Sequence, residues 1–287
     1  MKKRLNYLNV GCGKKYHTDW VNIDMASLSD DVITVNLLKG IPFPDNHFDV
    51  VYHSQVLEHF AKEKALDFMT ECFRVLKPDG IIRVVVPDLE NIVDEYKKHL
   101  KENLENPNDI SIANYDWILL EMYDQTVRNY SGGQMDVLLK QPNLINEKYI
   151  IDRIGYVGKN IRNKNLNRDS SNILRNIKKS LSSFLMFRKS VSYILKQLIT
   201  KLGLQSKRHK VGAFRLSGEI HMWMYDRFSL ARLLKESGFV NISVKNPFES
   251  DIPKWGEYEL DVKDGSVYDP TSLFMEAKKP NPQQQSK

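Results

Sequence analysis

The sequence predicts an α/β chain built on a doubly wound, mostly parallel sheet. Short β-branched runs bounded by turn signals, Val50 to Tyr52 and Ile81 to Val86, read as strands buried on both faces. Stretches of helical period alternate with them, and that alternation makes parallel crossovers. The third observation concerns a ligand: a glycine turn ends the first strand and a carboxylate ends the second, where open α/β sheets bind ligands.

Taken in order, Leu8, Asn9 and Val10 close a buried strand. Gly11 and Gly13 then let the backbone turn tightly and approach a ligand. Trp20 to Ile23 is the next strand, with Asp24 at its carboxyl end, which suggests a pocket for a ribose. A dinucleotide fingerprint needs a third glycine and an acid about 20 residues on. Here Tyr16 holds the glycine position and Asp24 follows Gly13 by only 11 residues, too few for a crossover helix. In place of further glycines come Lys14-Lys15-Tyr16-His17, whose side chains are expected to contribute to the site. From Glu63 to Leu76, Leu66, Met69, Phe73 and Leu76 recur at helical spacing and predict a helix on one sheet face. Lys77-Pro78-Asp79-Gly80 is a turn, with Pro setting φ and Gly expected to take the positive one.

These segments together resemble the type-11 group of class I S-adenosylmethionine-dependent methyltransferases. The glycine turn and Asp24 match its first motif. Ile41 to Val51 (IPFPDNHFDVV), Leu57-Glu58-His59 and Cys72 to Gly80 match in order, covering about residues 5–90. The resemblance implies a Rossmann-like sheet of seven strands and S-adenosylmethionine as cofactor. Gly11, Cys12 and Gly13 would face its methionine part, Asp24 its ribose, and Asn36 its adenine, where an amide replaces the commoner acid. His53, after the fourth strand, would lie near the transferred methyl. Phe228 to Phe239, with Leu230, Leu233 and Leu234 facing the core, is similar to the helix before the sixth strand. Ser272 to Ala277 would supply the last, antiparallel strand.

Tyr123 to Arg128, Ser131 to Gln134 and Leu216 to Asp226 resemble a narrower group, methyltransferases associated with bacterial cell-surface polysaccharides. That resemblance alone implies a saccharide, or a lipid-linked saccharide, as acceptor. A neutral sugar hydroxyl is a poor nucleophile and needs a base within hydrogen-bond reach. His221 is the first candidate and His53 the second, because histidine titrates near working pH. His59 is expected to fix the loop before it. Asp124, Arg128 and Asp226 are candidates to position polar acceptor groups, against the alternative of internal ion pairs. Trp223, Tyr225 and Trp255 are candidates to stack on sugar faces, against an ordinary place in the core.

Composition narrows the remaining classes. The chain has 287 residues, 41% of them hydrophobic, enough for a large core. Its cysteines, Cys12 and Cys72, form no disulfide framework, and no Cys/His spacing marks a metal site. No signal peptide or uninterrupted apolar span is evident, so the cytoplasm is the default location. Charge is uneven. The net charge is +6, yet residues 140–210 carry 17 Lys/Arg against Glu147, Asp152 and Asp169. The expected organisation is therefore a cofactor-binding core at 1–139, a basic helical insertion at 140–210, the rest of the core with the acceptor motif at 211–279, and a tail at 280–287.

Within the insertion, Ile173, Ile177, Leu181, Phe184, Val191, Leu195, Leu198 and Leu202 recur at helical spacing among lysines and arginines. Such helices either dock on the core as a lid or bind an anionic membrane through 170–210, where each basic residue contributes roughly 1 kcal/mol. Rival readings are an RNA methyltransferase, disfavoured by the lack of an RNA-binding module, and a small-molecule enzyme acting on a substrate such as a quinone precursor. A non-catalytic binding module on the same fold is a third.

Overall fold

The computed structural model describes residues 6–26, 29–166 and 206–282. Strands β1 (Tyr7–Val10), β2 (Val21–Asp24), β3 (Val32–Thr34), β4 (Phe48–Ser54), β5 (Leu76–Pro87), β6 (Val240–Lys245) and β9 (Ser272–Lys278) form one sheet. A two-residue hairpin, β7 (Val262–Lys263) and β8 (Ser266–Val267), stands apart from it. The sheet order is β3-β2-β1-β4-β5-β9-β6, and β9 alone runs antiparallel to its neighbours. The order reverses between β1 and β4, whose partners run Tyr7↔Val50 to Val10↔His53. A crevice opens at such a switch point, beyond the strands' carboxyl ends.

One face is covered by helices α1 (Lys62–Val75) and, after the cap helices, α7 (Arg227–Glu236). α1 buries Ala65, Phe68, Met69, Cys72 and Val75 against Leu8, Val51, Ile82 and Val84. This corrects the expected stripe, for Leu66 is exposed. Small Ala65 and Cys72 sit on the inward face and let the helix approach closely. α7 begins at Asp226, whose carboxylate accepts from Phe228 and Ser229 N–H in a reciprocal capping box. It buries Leu230, Leu233 and Leu234, as the sequence predicts.

The opposite face is packed by loops. Tyr7, Trp20, Tyr52, Trp255, Leu260 and Phe274 form an aromatic layer there. Arg83 of β5 is fully buried in it, donating to Asp261 and Glu276 at 2.7 Å each, with Trp255 stacked on its guanidinium at 4.7 Å. Tyr52 donates to the same Asp261 carboxylate at 2.7 Å. This network pins residues 246–268 where a crossover helix would otherwise lie.

The turn at Lys77–Gly80 is a bulge inside β5: Phe48 pairs with Leu76, and Val50 next with Ile81. Asp79, not Gly80, takes the positive φ of 62°. Aspartate is among the few non-glycine residues that tolerate that region, and the Asp79 carboxylate accepts from the distant Asn281.

Helices α2 (Leu89–Glu105), α3 (Asp109–Val127), α4 (Gly133–Leu139) and α5 (Glu147–Leu166) form a cap over the crevice, cored by Trp117, Leu139 and Ile150. A boundary at residue 140 is not a packing boundary. α5 joins the cap through Ile150 and through Arg153, which donates to Glu121 of α3 at 2.6–2.9 Å in a buried pair. The amphipathic stretch from Ile173 to Leu202 lies outside the described residues. α6 (Lys207–Arg215) follows it, and Leu216 leads into an extended strap toward α7.

Candidate active site

A cleft of about 570 Å³ lies between the strand tips and the helical cap, within the usual range for a small-molecule site. Its floor at one end is Gly11 to Lys15, with Ser54 and Gln55 at the end of β4. Gly11 has φ +64° and its N–H donates to Ile23 O at 2.8 Å. A Cβ there would overlap Val56 Cγ2, so only glycine fits. Gly13, at φ +52°, faces open space. Its N–H donates to Asp24 Oδ2 at 2.8 Å, while Ala26 N–H donates to Oδ1 at 3.0 Å. The carboxylate thus ties the turn to the tip of β2 and keeps further lone pairs for a pair of hydroxyls. This arrangement fits a ribose-bearing cofactor.

Cys12 is buried, its thiol pushed up to about 12 by burial and by Asp24, so it is a small turn residue and no nucleophile. Lys15 lines the cleft and is held by its own protein. Its ammonium donates to Ser54 Oγ at 3.2 Å, meets Asp269 at 3.5 Å and lies 5.0 Å over the Tyr268 ring. Asn36 caps the turn Leu37–Lys39 through its Oδ1, and its side chain is exposed outside the cleft.

At the other end the strap from Leu216 to Tyr225 passes over the first residues after β4. His221 N–H donates to Gln125 O at 3.0 Å; Met222 and Trp223 N–H both donate to Glu58 O. His221 thereby faces the cleft beside His59, Gln125, Arg128 and Glu219. Its imidazole lies 3.1 Å from the Gln125 amide nitrogen. Burial, helped by His59 and Arg128, pushes it down to about 3, so the ring is neutral at working pH. Arg128 donates to the Glu219 carbonyl at 3.1 Å and pairs with its carboxylate at 3.2 Å.

The remaining candidates lie elsewhere. His53 is fully buried beneath the sheet, its ring against Phe68 at 5.2 Å. Neither ring nitrogen has a partner, and burial pushes it down to about 3. It does not line the cleft: β4 alternates faces, and His53 shares the α1 side with Val51. Asp124 is also structural, its carboxylate accepting from Gln134 N–H at 2.7 Å at the start of α4. Asp226 is the α7 cap. Tyr225 is buried in the core, and Trp223 lies outside the cleft under Lys62 at 4.5 Å. Trp255 belongs to the aromatic layer.

Sequence reasoning passed over Gln55, Gln125, Glu219 and Asp269, which line the cleft. Gln55, at φ +57° directly after β4, carries a backbone signal that a sequence does not display. Glu58 stands in the sequence only as the middle of Leu57-Glu58-His59. It is fully buried, neither carboxylate oxygen has a partner, and burial pushes it up to about 8.

The sheet order, with one reversed strand, and the glycine turn at the switch point define a class I methyltransferase fold. Residues 8–84 match a family described as "Methyltransferase domain". A probable S-adenosylmethionine-dependent methyltransferase of Mycolicibacterium smegmatis is 33% identical over 99 residues, 28% of this chain and 37% of that protein. The ubiquinone/menaquinone biosynthesis C-methyltransferase UbiE of Paraburkholderia phymatum is 38% identical over 95 residues, again 37% of its length. This chain therefore spans well under half of either relative. Among solved structures, a SAM dependent methyltransferase from Archaeoglobus fulgidus covers 96% of this chain and 86% of its own at 11% identity and a TM-score of 0.36. No helix among the described residues is long and apolar enough to cross a membrane.

Proposed function

We propose that the chain is an S-adenosylmethionine-dependent methyltransferase whose acceptor is a hydroxyl, or an amine, of a cell-surface saccharide or its lipid-linked precursor. The observation that carries the reading is the Gly11–Gly13 turn, tethered to Asp24 and opening directly on the cleft. The cofactor supplies a methyl on a sulfonium sulfur, already activated for displacement. The acceptor oxygen bonds the methyl carbon as the carbon–sulfur bond breaks, and the sulfur keeps the electron pair. The hydroxyl proton must go to a base, and of the two candidate histidines His221 is the one at the cleft. Holding acceptor and methyl in line accounts for about 7–11 kcal/mol of such a barrier.

The saccharide reading is supported by the resemblance of the strap from Leu216 to Asp226 and by the polar end at Gln125, Arg128, Glu219 and His221. An apolar wall from Met135, Leu139, Ile154, Val157 and Ile161 suits the lipid of a linked precursor. The UbiE likeness favours a second reading, a small apolar acceptor such as a quinone precursor. By charge alone, residues 170–210 would hold the chain at an anionic membrane. Sedimentation with anionic and neutral liposomes at two salt concentrations tests that, and equal recovery refutes it. For the acceptor, the purified chain with methyl-labelled donor and fractionated extract should place label in glycan or glycolipid. Label in quinones or RNA alone would overturn the saccharide, and failure to bind S-adenosylhomocysteine in a calorimeter would overturn the whole reading.

A further inference from the structure

Three side chains at the polar end converge without serving one another. Glu58 and His59 belong to the single turn Leu57–His59 that follows β4. His221 arrives from the strap, 162 residues later, and its ring meets that of His59 edge-on at 4.8 Å. One ligand atom from each of Glu58, His59 and His221 lies within 4.8 Å of the other two. Both histidines line the cleft.

Each is prepared in a way its neighbours do not use. The Glu58 carboxylate is fully buried and both oxygens lack partners. A buried carboxylate without donors either takes up a proton or is compensated by a cation, and a cation that displaces the proton restores the charged form. His59 Nδ1–H donates to the Ile220 carbonyl at 3.0 Å, because a carbonyl only accepts. Its Nε2 therefore keeps a lone pair, and a ring held through its other nitrogen is how metal-binding histidines are commonly oriented. Gln125 reaches His221 Nε2 at 3.1 Å. Turned over, the same amide would accept from Nε2–H and free the Nδ1 lone pair.

We propose that Glu58, His59 and His221 bind a divalent transition-metal ion at the acceptor end of the cleft. One carboxylate and two imidazoles suit zinc, cobalt or iron(II) better than magnesium or calcium, which prefer all-oxygen shells. A tetrahedral ion with ligands at about 2.0–2.1 Å holds them about 3.3 Å apart, so the three close inward by side-chain rotation. Three protein ligands leave coordination positions open to the cleft, as in catalytic metal sites. Those positions would receive acceptor oxygens, a part that rests on the methyltransferase reading. In that arrangement His221 would act through the ion and would give up the role of base assigned above: a hydroxyl bound to the ion would have a lowered pKa and release its proton to water.

The test uses the 287-residue chain, stripped with chelator and dialysed. Titration with Zn²⁺ in a calorimeter should show one equivalent bound, and Co²⁺ should give a visible absorption spectrum. E58Q and H221Q should each weaken Zn²⁺ at least a hundredfold while still binding S-adenosylhomocysteine, which shows that they fold. If E58Q does not fold, H59Q and H221Q at the cleft rim carry the comparison. The proposal is overturned if the wild type binds neither metal, or if the variants bind it unchanged. Loss of nucleoside binding with metal binding intact would instead overturn the methyltransferase reading alone.

Discussion

Asp24→Ala separates two roles that the structure gives one carboxylate. In the free protein it accepts from Gly13 and Ala26 N–H at 2.8 and 3.0 Å. Hydrogen bonds to charged groups are worth about 1.5–3 kcal/mol each when shielded. This carboxylate is only half-buried, so losing both should lower stability by about 1–3 kcal/mol in total. With the nucleoside bound, the remaining lone pairs take ribose hydroxyls. Loss of one such bond, at about 1.5–3 kcal/mol, weakens binding by roughly 10- to 150-fold. Asp24→Asn keeps one acceptor oxygen and should fall between wild type and Asp24→Ala. The assay pairs calorimetric affinity for S-adenosylhomocysteine with denaturant unfolding of the free chain. Lowered stability with unchanged affinity would refute the ribose role and leave Asp24 as a loop tether only.

Three further outcomes follow from the same geometry. Gly11→Ala should cost about 1–2 kcal/mol for its positive φ, plus the overlap with Val56. Adding Val56→Ala should recover the overlap and not the φ, as read by denaturant unfolding. Arg153→Met leaves Glu121 buried and uncompensated, which typically costs about 3–5 kcal/mol. Glu121→Gln in the same chain still accepts from the Trp117 indole and should recover at least half; no recovery would show that the pair's charge is not the issue. Finally, Glu71 accepts from Arg74 and from Ile41 N–H, and the Arg74 hydrogen bonds hold its carboxyl below the ordinary 4.5. A lowered carboxylate contributes stability above its unfolded value and loses it as pH falls through the folded one. The stability gap between wild type and Glu71→Gln should therefore stay constant from neutrality to about pH 5 and close below it. A gap that shows no narrowing as pH falls below the ordinary 4.5 would refute the assignment.

The parts of the fold legible in the sequence are those fixed by local signals. The strands at Leu8–Val10, Val50–Tyr52 and Ile81–Val86 fall within β1, β4 and β5, because β-branched runs between turn residues have few other stable conformations. The short link from Gly13 to Asp24 excluded a crossover helix, and none forms. The α1 stripe was misjudged because a list of large apolar residues omits Ala65 and Cys72, which small size admits to the closest part of the interface. The charge step at residue 140 suggested a boundary that packing ignores. Lys148 and Lys159, exposed on α5, say nothing about Ile150 and Arg153, which are buried.

The site divides on the same principle. Gly11, Gly13 and Asp24 were legible because turn, strand and carboxylate lie within 14 residues and one local geometry uses all three. Asp226 and Asp124 were offered to an acceptor although each has a nearer use. In Asp226-Arg227-Phe228-Ser229 the spacing of a helix cap is already present, and a polar side chain satisfied by its own backbone has little left for a ligand. His53 shows the cost of ignoring strand parity: two residues from Val51, it must share that residue's face, under α1 and away from the strand tips. Glu58 was hidden for the opposite reason. In sequence it is one residue of the Leu57-Glu58-His59 match, and nothing local says that a strap about 160 residues away will close over it. The backbone bonds from Met222 and Trp223 to its own carbonyl, together with that from His221 to Gln125, bring His221 there. A sequence can announce a donor; it cannot announce that the donor is left without a partner until the fold has filled every other place.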